Sequence, residues 1–298
     1  MNASHRTRRR FPLGQLLAHA ILIAVSLLFI APLLLIVSAS ITNEQSLLRN
    51  GYRLFPTAID WSAYQYIFRD PSQILRSYSV TILVAFGGTA LSLFVMALLS
   101  YPLSRSEFRF ARPLSLVVFF TLLFNGGLVA SYIINTQYLH LQDNLFALIL
   151  PYLVGPFYVL LLRTYFAALP RELLEAARID GASEWLIFFR IVLPLSTPAL
   201  ATVGLFVLLG YWNDYFLGLL YLNDSTKFPL QLLLFNILNN ISFLSSNAAA
   251  QNAGVVVSPP TESVRMAMAV LATGPMAFVF LFVQKYFTRG LTVGSLKG

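Results

Sequence analysis

Residues 170–194 read PRELLEAARIDGASEWLIFFRIVLP and form a polar segment between two long apolar runs. Pro170 suits a first helical turn, where its missing N–H is not needed. Gly181 can end that helix because glycine adopts a positive φ without steric cost. Ser183 can cap a second helix through its hydroxyl, and Pro194 is expected to end it. The segment therefore predicts two short helices that meet at a corner.

Six stretches without Asp, Glu, Lys or Arg lie on either side of this segment. Each is long enough to cross a bilayer, which takes about 20 apolar residues. Helix is expected throughout, because no water satisfies backbone groups inside hydrocarbon. The sequence thus predicts an all-α integral membrane protein, a single transmembrane domain over residues 1–298. The predicted spans are 13–41, 77–103, 113–135, 144–163, 196–222 and 264–286.

Composition agrees with a membrane protein. Of the 298 residues, 57% are hydrophobic and 11% are charged, against roughly a quarter charged in an average soluble domain. The chain has no cysteine, which excludes disulfides and thiol chemistry. Its three histidines are far apart, so no metal site is expected. The net charge of +8 is attributed to Lys and Arg on the cytoplasmic side, not to nucleic-acid binding.

The distribution of Lys and Arg predicts the orientation. With a cytoplasmic N-terminus, the inner segments hold 14 of the 20 basic residues and the outer loops hold 6. Six helices then place both termini in the cytoplasm. The outer loop 42–76 is the exception to this distribution, because it has four arginines. It also has three acidic residues. Its small positive charge is a weak hint of an acidic substrate.

The charge-free stretch 228–261 is not predicted to span. Its apolar part, 230–243, has only 14 residues, which is too short for a transmembrane helix. Asparagines at spacings of three and four would lie on one helical face. The outer loop 223–262 is therefore predicted to contain a short periplasmic, interfacial or re-entrant amphipathic helix, followed by a loop up to Pro260.

One motif is specific enough to suggest a family. The segment contains the pattern Glu-Ala-Ala, three residues, Gly, nine residues, Ile, one residue, Leu-Pro. This pattern is the signature of the membrane subunits of bacterial ABC importers, and the chain resembles them without departure. The matching residues are Glu175, Ala176, Ala177, Gly181, Ile191, Leu193 and Pro194.

The resemblance implies that segment 170–194 is a coupling helix, which docks in a cleft of a cytoplasmic ATPase. The small alanines would pack in the cleft, the first glutamate would face a basic group, and the glycine would form the corner. An ordinary amphipathic loop helix is the alternative. The residues assigned to ATPase docking are Glu175, Ala176, Ala177, Arg178, Asp180 and Gly181.

Further strings resemble the carbohydrate-uptake type of permease, which includes the maltose system. The tail 290–298 and Trp212-Asn213 carry this likeness. Shorter strings at 125–128, 148–151 and 228–232 are similar to permeases for oligo- and polysaccharides, such as the alginate importer and the "lipoprotein" permeases. The resemblance implies a second, different permease subunit, two copies of an ATPase and an extracytoplasmic solute-binding protein. It also implies the bacterial cytoplasmic membrane.

The sequence has no G-x-x-x-x-G-K-[ST] motif, so the chain is not expected to bind or hydrolyse ATP. ATP and Mg²⁺ would belong to the partner ATPase, and no cofactor is expected here. A secondary, ion-coupled transporter is the alternative function, but no internal repeat is seen. An intramembrane enzyme is a third option, although H-E-x-x-H and G-x-S-x-G are both absent.

Polar and aromatic side chains within the spans are candidates for the substrate path. Tyr211, Trp212 and Tyr215 would share one helical face, and Asp214 is an ionisable residue inside a predicted span. An outer aromatic belt or hydrogen bonding between helices explains this group equally well. Paired glycines interrupt the third span and could let it bend. The candidates are Asn125, Tyr211, Trp212, Asn213, Asp214 and Tyr215.

Overall fold

The computed structural model describes residues 13–246 and 261–295. Two predicted features lie outside these ranges: the part of the outer loop from 247 to Pro260, and the end of the tail 290–298. Within the described ranges the chain is helical, and its extended pairing is limited to an isolated bridge between Thr42 and Ile59. This confirms the all-α class.

Thirteen helices are labelled here within those ranges. They are α1 (Leu13–Ser40), α2 (Glu44–Asn50), α3 (Ser62–Ile67), α4 (Pro71–Leu103), α5 (Ala111–Leu123), α6 (Gly127–Tyr138), α7 (Pro156–Ala167), α8 (Arg171–Ile179), α9 (Glu184–Leu195), α10 (Thr197–Asn213), α11 (Phe216–Tyr221), α12 (Leu230–Ser246) and α13 (Thr261–Ser295). Leu145–Tyr152 forms 3₁₀ turns before α7.

Three continuous helical stretches are long and apolar enough to cross a membrane: Gly14–Ser40, Pro71–Leu103 and Thr261–Phe282. Three further candidates are bent pairs. The α5–α6 pair bends by 110°, the 3₁₀ turns and α7 by 53°, and the α9–α10 pair by 78°. Every apolar run of the sequence is therefore helical, but three of them are broken and not straight.

Local residues explain two of the breaks. Between α5 and α6 the chain becomes extended at Phe124 and reaches a positive φ of 79° at Gly127. The Asn125 side chain accepts the Gly127 N–H at 3.1 Å, which satisfies a backbone donor at the break. Before α7, Gly155 is extended and Pro156 begins the helix. The fourth apolar run is thus kinked at Gly155 and Pro156.

The fifth apolar run differs from the predicted single helix 196–222. Helix α9 does not end at Pro194 but continues to Leu195, because this proline occupies a first-turn position of its last segment and needs no N–H partner there. The chain turns at Ser196 and α10 begins at Thr197. Helix α10 then ends at Asn213, and α11 begins only at Phe216.

The chain forms two compact units. Of the described residues, unit 1 contains 13–69, 241–246 and 261–271, and unit 2 contains 70–240 and 272–295. In unit 1, hydroxyls near the end of α1 hold the following loop: Ser38 Oγ donates to the Arg53 carbonyl at 2.7 Å, and Ser40 Oγ bonds the Tyr64 hydroxyl at 2.9 Å.

The Glu44 carboxylate caps the N-terminus of α13 within unit 1. It accepts the backbone N–H of Thr261 at 3.1 Å, and those of Glu262 and Ser263 at 2.9 Å. The Ser263 hydroxyl also donates to it at 2.7 Å. These are the donors that the first turn of a helix leaves without a partner. A carboxylate is favourable there because of the helix dipole.

Unit 2 is held together by hydroxyls that bond across helices. Ser100 Oγ of α4 donates to the Val159 carbonyl of α7 at 3.0 Å. The Tyr211 hydroxyl of α10 bonds Ser92 Oγ at 2.9 Å and donates to the Ile149 carbonyl at 3.0 Å. Gly88 packs against the Tyr211 ring so closely that an added Cβ would lie 3.0 Å from it. Helices α4, α7 and α10 therefore form the centre of this unit.

Hydrogen bonds to Asp143 hold the loop around Asn223 in unit 2. Its carboxylate accepts the backbone N–H of Asn223 at 2.6 Å and of Asp224 at 2.9 Å. The Asp143 carbonyl accepts Lys227 Nζ at 2.8 Å. The hydrogen bonds from the two backbone amides hold the pKa of the Asp143 carboxyl below its ordinary value.

Replacing Glu44 with alanine is expected to destabilise unit 1. Three backbone donors lose their partner, and losing a side-chain cap costs about 0.5–2 kcal/mol. The apparent Tm of the detergent-solubilised protein should fall. Gln45→Ala, at an exposed neighbouring position of α2, is the matched control and should leave Tm unchanged. Equal Tm values for the two variants would contradict the capping role.

The order of the loop around Asn223 should depend on pH through Asp143. Because the folded pKa is lowered, the contact is fully present above the unfolded pKa of about 3.9. It is lost as pH falls through the folded pKa. Hydrogen exchange of the Asn223 and Asp224 amides, corrected for intrinsic rates, should accelerate in that acid range. In Asp143→Asn this acid step should shrink; an undiminished step would exclude Asp143 as its cause.

Candidate functional site

The corner between α8 and α9 has the geometry of a Schellman motif. Gly181 has a φ of 83°. Its N–H donates to the Arg178 carbonyl at 3.0 Å, and the Ala182 N–H donates to the Ala177 carbonyl at 2.9 Å. Ser183 then caps α9 by accepting the Leu186 N–H at 3.3 Å. The helix–corner–helix shape and the Ser183 cap agree with the sequence analysis.

Glu184 ties this corner to α4. Its carboxylate accepts Arg178 Nε at 2.8 Å on one oxygen and the Tyr101 hydroxyl at 2.6 Å on the other. The hydrogen bond to Glu184 raises the pKa of Arg178. Arg178, one of the predicted docking residues, is thus engaged within the chain. Its ion pair with Glu184 links the last turn of α8 to the first turn of α9.

The other side of α8 is open to solvent. Leu174 is buried and anchors the helix, whereas Glu175, Ala176 and Asp180 are exposed and Ala177 is half-buried. Large apolar side chains flank them: Ile179 is 86% exposed and Trp185 is 64% exposed. The predicted docking residues therefore lie at an exposed surface, where the small side chain of Ala176 has apolar and acidic neighbours.

A second candidate site is a cavity of about 420 Å³ beside the end of α10. Six aromatic rings line it, together with Asn213, Asp214, Val207 and two glycines. Asp214 is extended and caps α11, because its Oδ1 accepts the Leu217 N–H at 3.0 Å. The aromatic residues of the wall are Tyr152, Tyr158, Phe206, Tyr211, Tyr215 and Phe216.

The cavity brings together four of the six predicted path residues: Tyr211, Asn213, Asp214 and Tyr215. It does not include Trp212, whose indole N–H donates to the Ala272 carbonyl at 2.9 Å and which is 2% exposed. Asn125 is also outside the cavity, at the α5–α6 break.

The expectation of one shared helical face is wrong for Tyr215, because α10 ends at Asn213 and the chain changes direction at Asp214. For Tyr211 and Trp212 the hydrogen-bonding alternative accounts for the polar atoms, since both bond to backbone carbonyls of other elements. Of these two residues, Tyr211 lines the cavity and Trp212 does not.

Tyr152 and Tyr158 were absent from the sequence-predicted set. They belong to the fourth apolar run, on either side of the break that Gly155 and Pro156 produce. The Tyr152 ring lies edge-on to Tyr211, with centroids 6.2 Å apart. The proline-rich kink was the available signal, because a break in a span is where side chains can line a cavity. In the parts of the chain described, no group of three His, Cys, Asp or Glu residues could hold a metal ion.

Comparison with known proteins gives the family of this chain. Residues 20–293 match the family described as "Binding-protein-dependent transport system inner membrane component". Protein LplC of Bacillus subtilis (strain 168) is 39% identical over 276 residues, which cover 92% of this chain and 91% of LplC. The polygalacturonan/rhamnogalacturonan transport system permease protein YtcP of the same organism is 37% identical over 286 residues, 96% of this chain and 99% of YtcP.

A solved structure is similar along nearly the whole chain. It is described as a bacterial ABC transporter involved in the import of the acidic polysaccharide alginate, and the matched chain is 30% identical with a TM-score of 0.76. The match covers 96% of this chain and 100% of that one. With the family match and the two relatives, this shows that the chain belongs to the inner membrane components of binding-protein-dependent transport systems.

Proposed function

We propose that this chain is a permease subunit of an ATP-driven, binding-protein-dependent importer and forms half of a translocation path for an oligo- or polysaccharide. The observation that carries the proposal is the α8–α9 corner. It combines a rigid Schellman turn with an exposed small residue, Ala176, between acidic and apolar neighbours. A corner of this shape can insert into a cleft of another protein.

The corner is suited to transmit movement. Glu184 connects it to α4 through Tyr101, and α9 connects it to α10 through the bend at Ser196. A partner that pushes on α8 therefore pushes on the helices beside the aromatic cavity. Such a rigid-body or hinge transition would switch the path between inward- and outward-facing states, biased by whatever binds at each end.

The proposed partners follow from the family. A second, different permease subunit would complete the path, and two copies of an ATPase would bind ATP and Mg²⁺. An extracytoplasmic binding protein would deliver the sugar. The proposed location is the bacterial cytoplasmic membrane, with both termini inside, α8 and α9 on the cytoplasmic side and α12 at the outer interface. This topology agrees with the excess of Lys and Arg in the inner segments.

The proposed cargo is a saccharide because of both the relatives and the site. YtcP is named for polygalacturonan and rhamnogalacturonan, and the similar solved structure for alginate. The aromatic cavity offers flat ring faces and polar side chains, Asn213 and Asp214, at one place. Aromatic faces and hydroxyl-bonding groups are what a sugar ring can use. An acidic, alginate-like polymer is the narrower form of this proposal.

Glu175→Lys and Ala176→Asp should uncouple the chain from its ATPase. Both positions are exposed, so folding is preserved, while the docking surface gains a wrong charge or loses its small side chain. We expect the ATPase encoded beside this gene to co-purify with the tagged wild-type chain and its partner permease. Recovery of the ATPase should fall at least tenfold with either variant, about 1.4 kcal/mol or more.

Arg109→Glu is the control, because it reverses an exposed charge in another predicted inner segment. It should leave ATPase recovery unchanged. ATP hydrolysis stimulated by loaded binding protein is the second readout. If no ATPase co-purifies with the wild type and Glu175→Lys does not alter transport, docking at this corner is excluded, and ion-coupled secondary transport becomes the better hypothesis.

A further inference from the structure

We propose that a cleft at the end of α4, here called the Arg105 cleft, binds one anionic phospholipid, with the phosphate beside Arg105 and an acyl chain against its apolar wall. The cleft has a volume of about 420 Å³ and shares no lining residue with the cavity beside Asp214. All of its lining residues belong to unit 2. The site goes beyond the proposed function, because a lipid can bind here with neither sugar nor ATP present.

Arg105 carries a positive charge that has no direct partner among the described residues. Its guanidinium lies over the Tyr101 ring, with Cζ 4.7 Å from the ring centroid. None of the ion pairs in the described ranges includes it, and burial lowers its pKa. Nε and Nη2 are covered and unpaired, so the phosphate is proposed to contact Nη1, the remaining nitrogen, from the cleft that Arg105 lines.

The carboxylates of the cleft do not pair with this guanidinium. Two arginines and two glutamates line the cleft, but both oxygens of Glu184 are used, by Arg178 and by the tyrosine beneath the guanidinium. Glu107 is exposed, where solvent screens its charge. Two further cations, Arg109 and Arg190, are exposed a few residues from the wall along the chain. Such arginines attract anionic headgroups.

The Arg105 cleft follows the order of groups in a phospholipid. The apolar span Pro71–Leu103 ends two residues before Arg105, which is the depth at which headgroups meet hydrocarbon. Leu98 lines the same cleft, about 7.5 Å further into the span at 1.5 Å per residue. A phosphate at the polar end therefore leaves its acyl chain beside apolar side chains. The apolar residues of the wall are Leu98, Pro102, Phe108, Trp185 and Phe188.

A lipid suits this cleft better than a protein partner or a soluble anion. The lining includes neither Glu175 nor Ala176, the exposed residues proposed to meet the ATPase. A small soluble phosphate would leave the apolar wall in contact with water, which is unfavourable. Under the proposed topology, the lipid would come from the cytoplasmic leaflet and would contact side chains that tie the corner to α4.

The test uses the purified complex of this chain, its partner permease and the ATPase, titrated with lipids whose acyl chains are brominated. Bromine quenches tryptophan fluorescence only at close range, and Trp185 is in the cleft wall. Subtracting the Trp185→Phe signal isolates its contribution. Phosphatidylglycerol should half-quench Trp185 at a concentration about fivefold below that of phosphatidylcholine, which has no net charge. Arg105→Gln should abolish this preference, and Arg105→Lys, which keeps the charge, should retain it.

Arg109→Gln is the matched control, because it removes an exposed charge from the same predicted inner segment but lies outside the cleft. It should leave the preference unchanged. An equal loss in Arg105→Gln and Arg109→Gln would mean diffuse surface attraction and would overturn the site. Absence of Trp185 quenching would show that a partner subunit covers the cleft, and displacement by glycerol 3-phosphate would assign it to soluble phosphates; either result overturns the lipid.

The two proposals fail separately. If Arg105→Gln does not assemble, the comparison of the two lipids on the wild type and on Arg105→Lys decides the matter, and equal quenching by both lipids overturns the site. In all these outcomes the permease function stands as long as the ATPase co-purifies with the wild-type chain. If the wild type recruits no ATPase, the proposed function has failed, and the lipid comparison is made on the two permease subunits alone.

Discussion

The structure depends on hydrogen-bond partners for the backbone groups beside its broken spans, because hydrocarbon offers no water to supply them. The Tyr211 hydroxyl shows how this is achieved: it donates to the Ile149 carbonyl, in the 3₁₀ turns before α7, and bonds Ser92 of α4. One side chain on α10 thus joins three elements. Ser100 makes a second such joint between α4 and α7. With these bonds in place, the Ile149 and Val159 carbonyls have hydrogen-bond partners beside the break before α7.

The breaks in turn create the cavity. A straight α10 would have continued through Asp214 and Tyr215 as one helix. Because α10 ends at Asn213, Asp214 has an extended backbone and its Oδ1 caps α11. The kink at Gly155 brings Tyr152 and Tyr158 to the same place. Charge and aromatic faces meet here because two spans are broken at neighbouring points.

The corner at Gly181 and the cavity at Asp214 belong to one unit and are linked by continuous structure. Glu184 joins the corner to Tyr101 near the end of α4, and the same helix carries Ser92, which contacts Tyr211 in the cavity wall. Under the proposed function, force applied at the corner therefore reaches the cavity through α4. It also reaches the cavity through α9 and the bend at Ser196.

The sequence by itself determined the helical class, the six apolar segments and the corner, because these follow from local causes: apolar run length, the absence of charge, and the one residue type that adopts a positive φ cheaply. It also pointed to Asp214 as a polar residue in an apolar run. Only the tertiary structure decided that α10 stops before Tyr215, that Trp212 bonds Ala272 outside the cavity, and that Tyr152 and Tyr158 complete the wall. These outcomes depend on contacts between residues far apart in the chain, and periodicity within one segment carries no information about them.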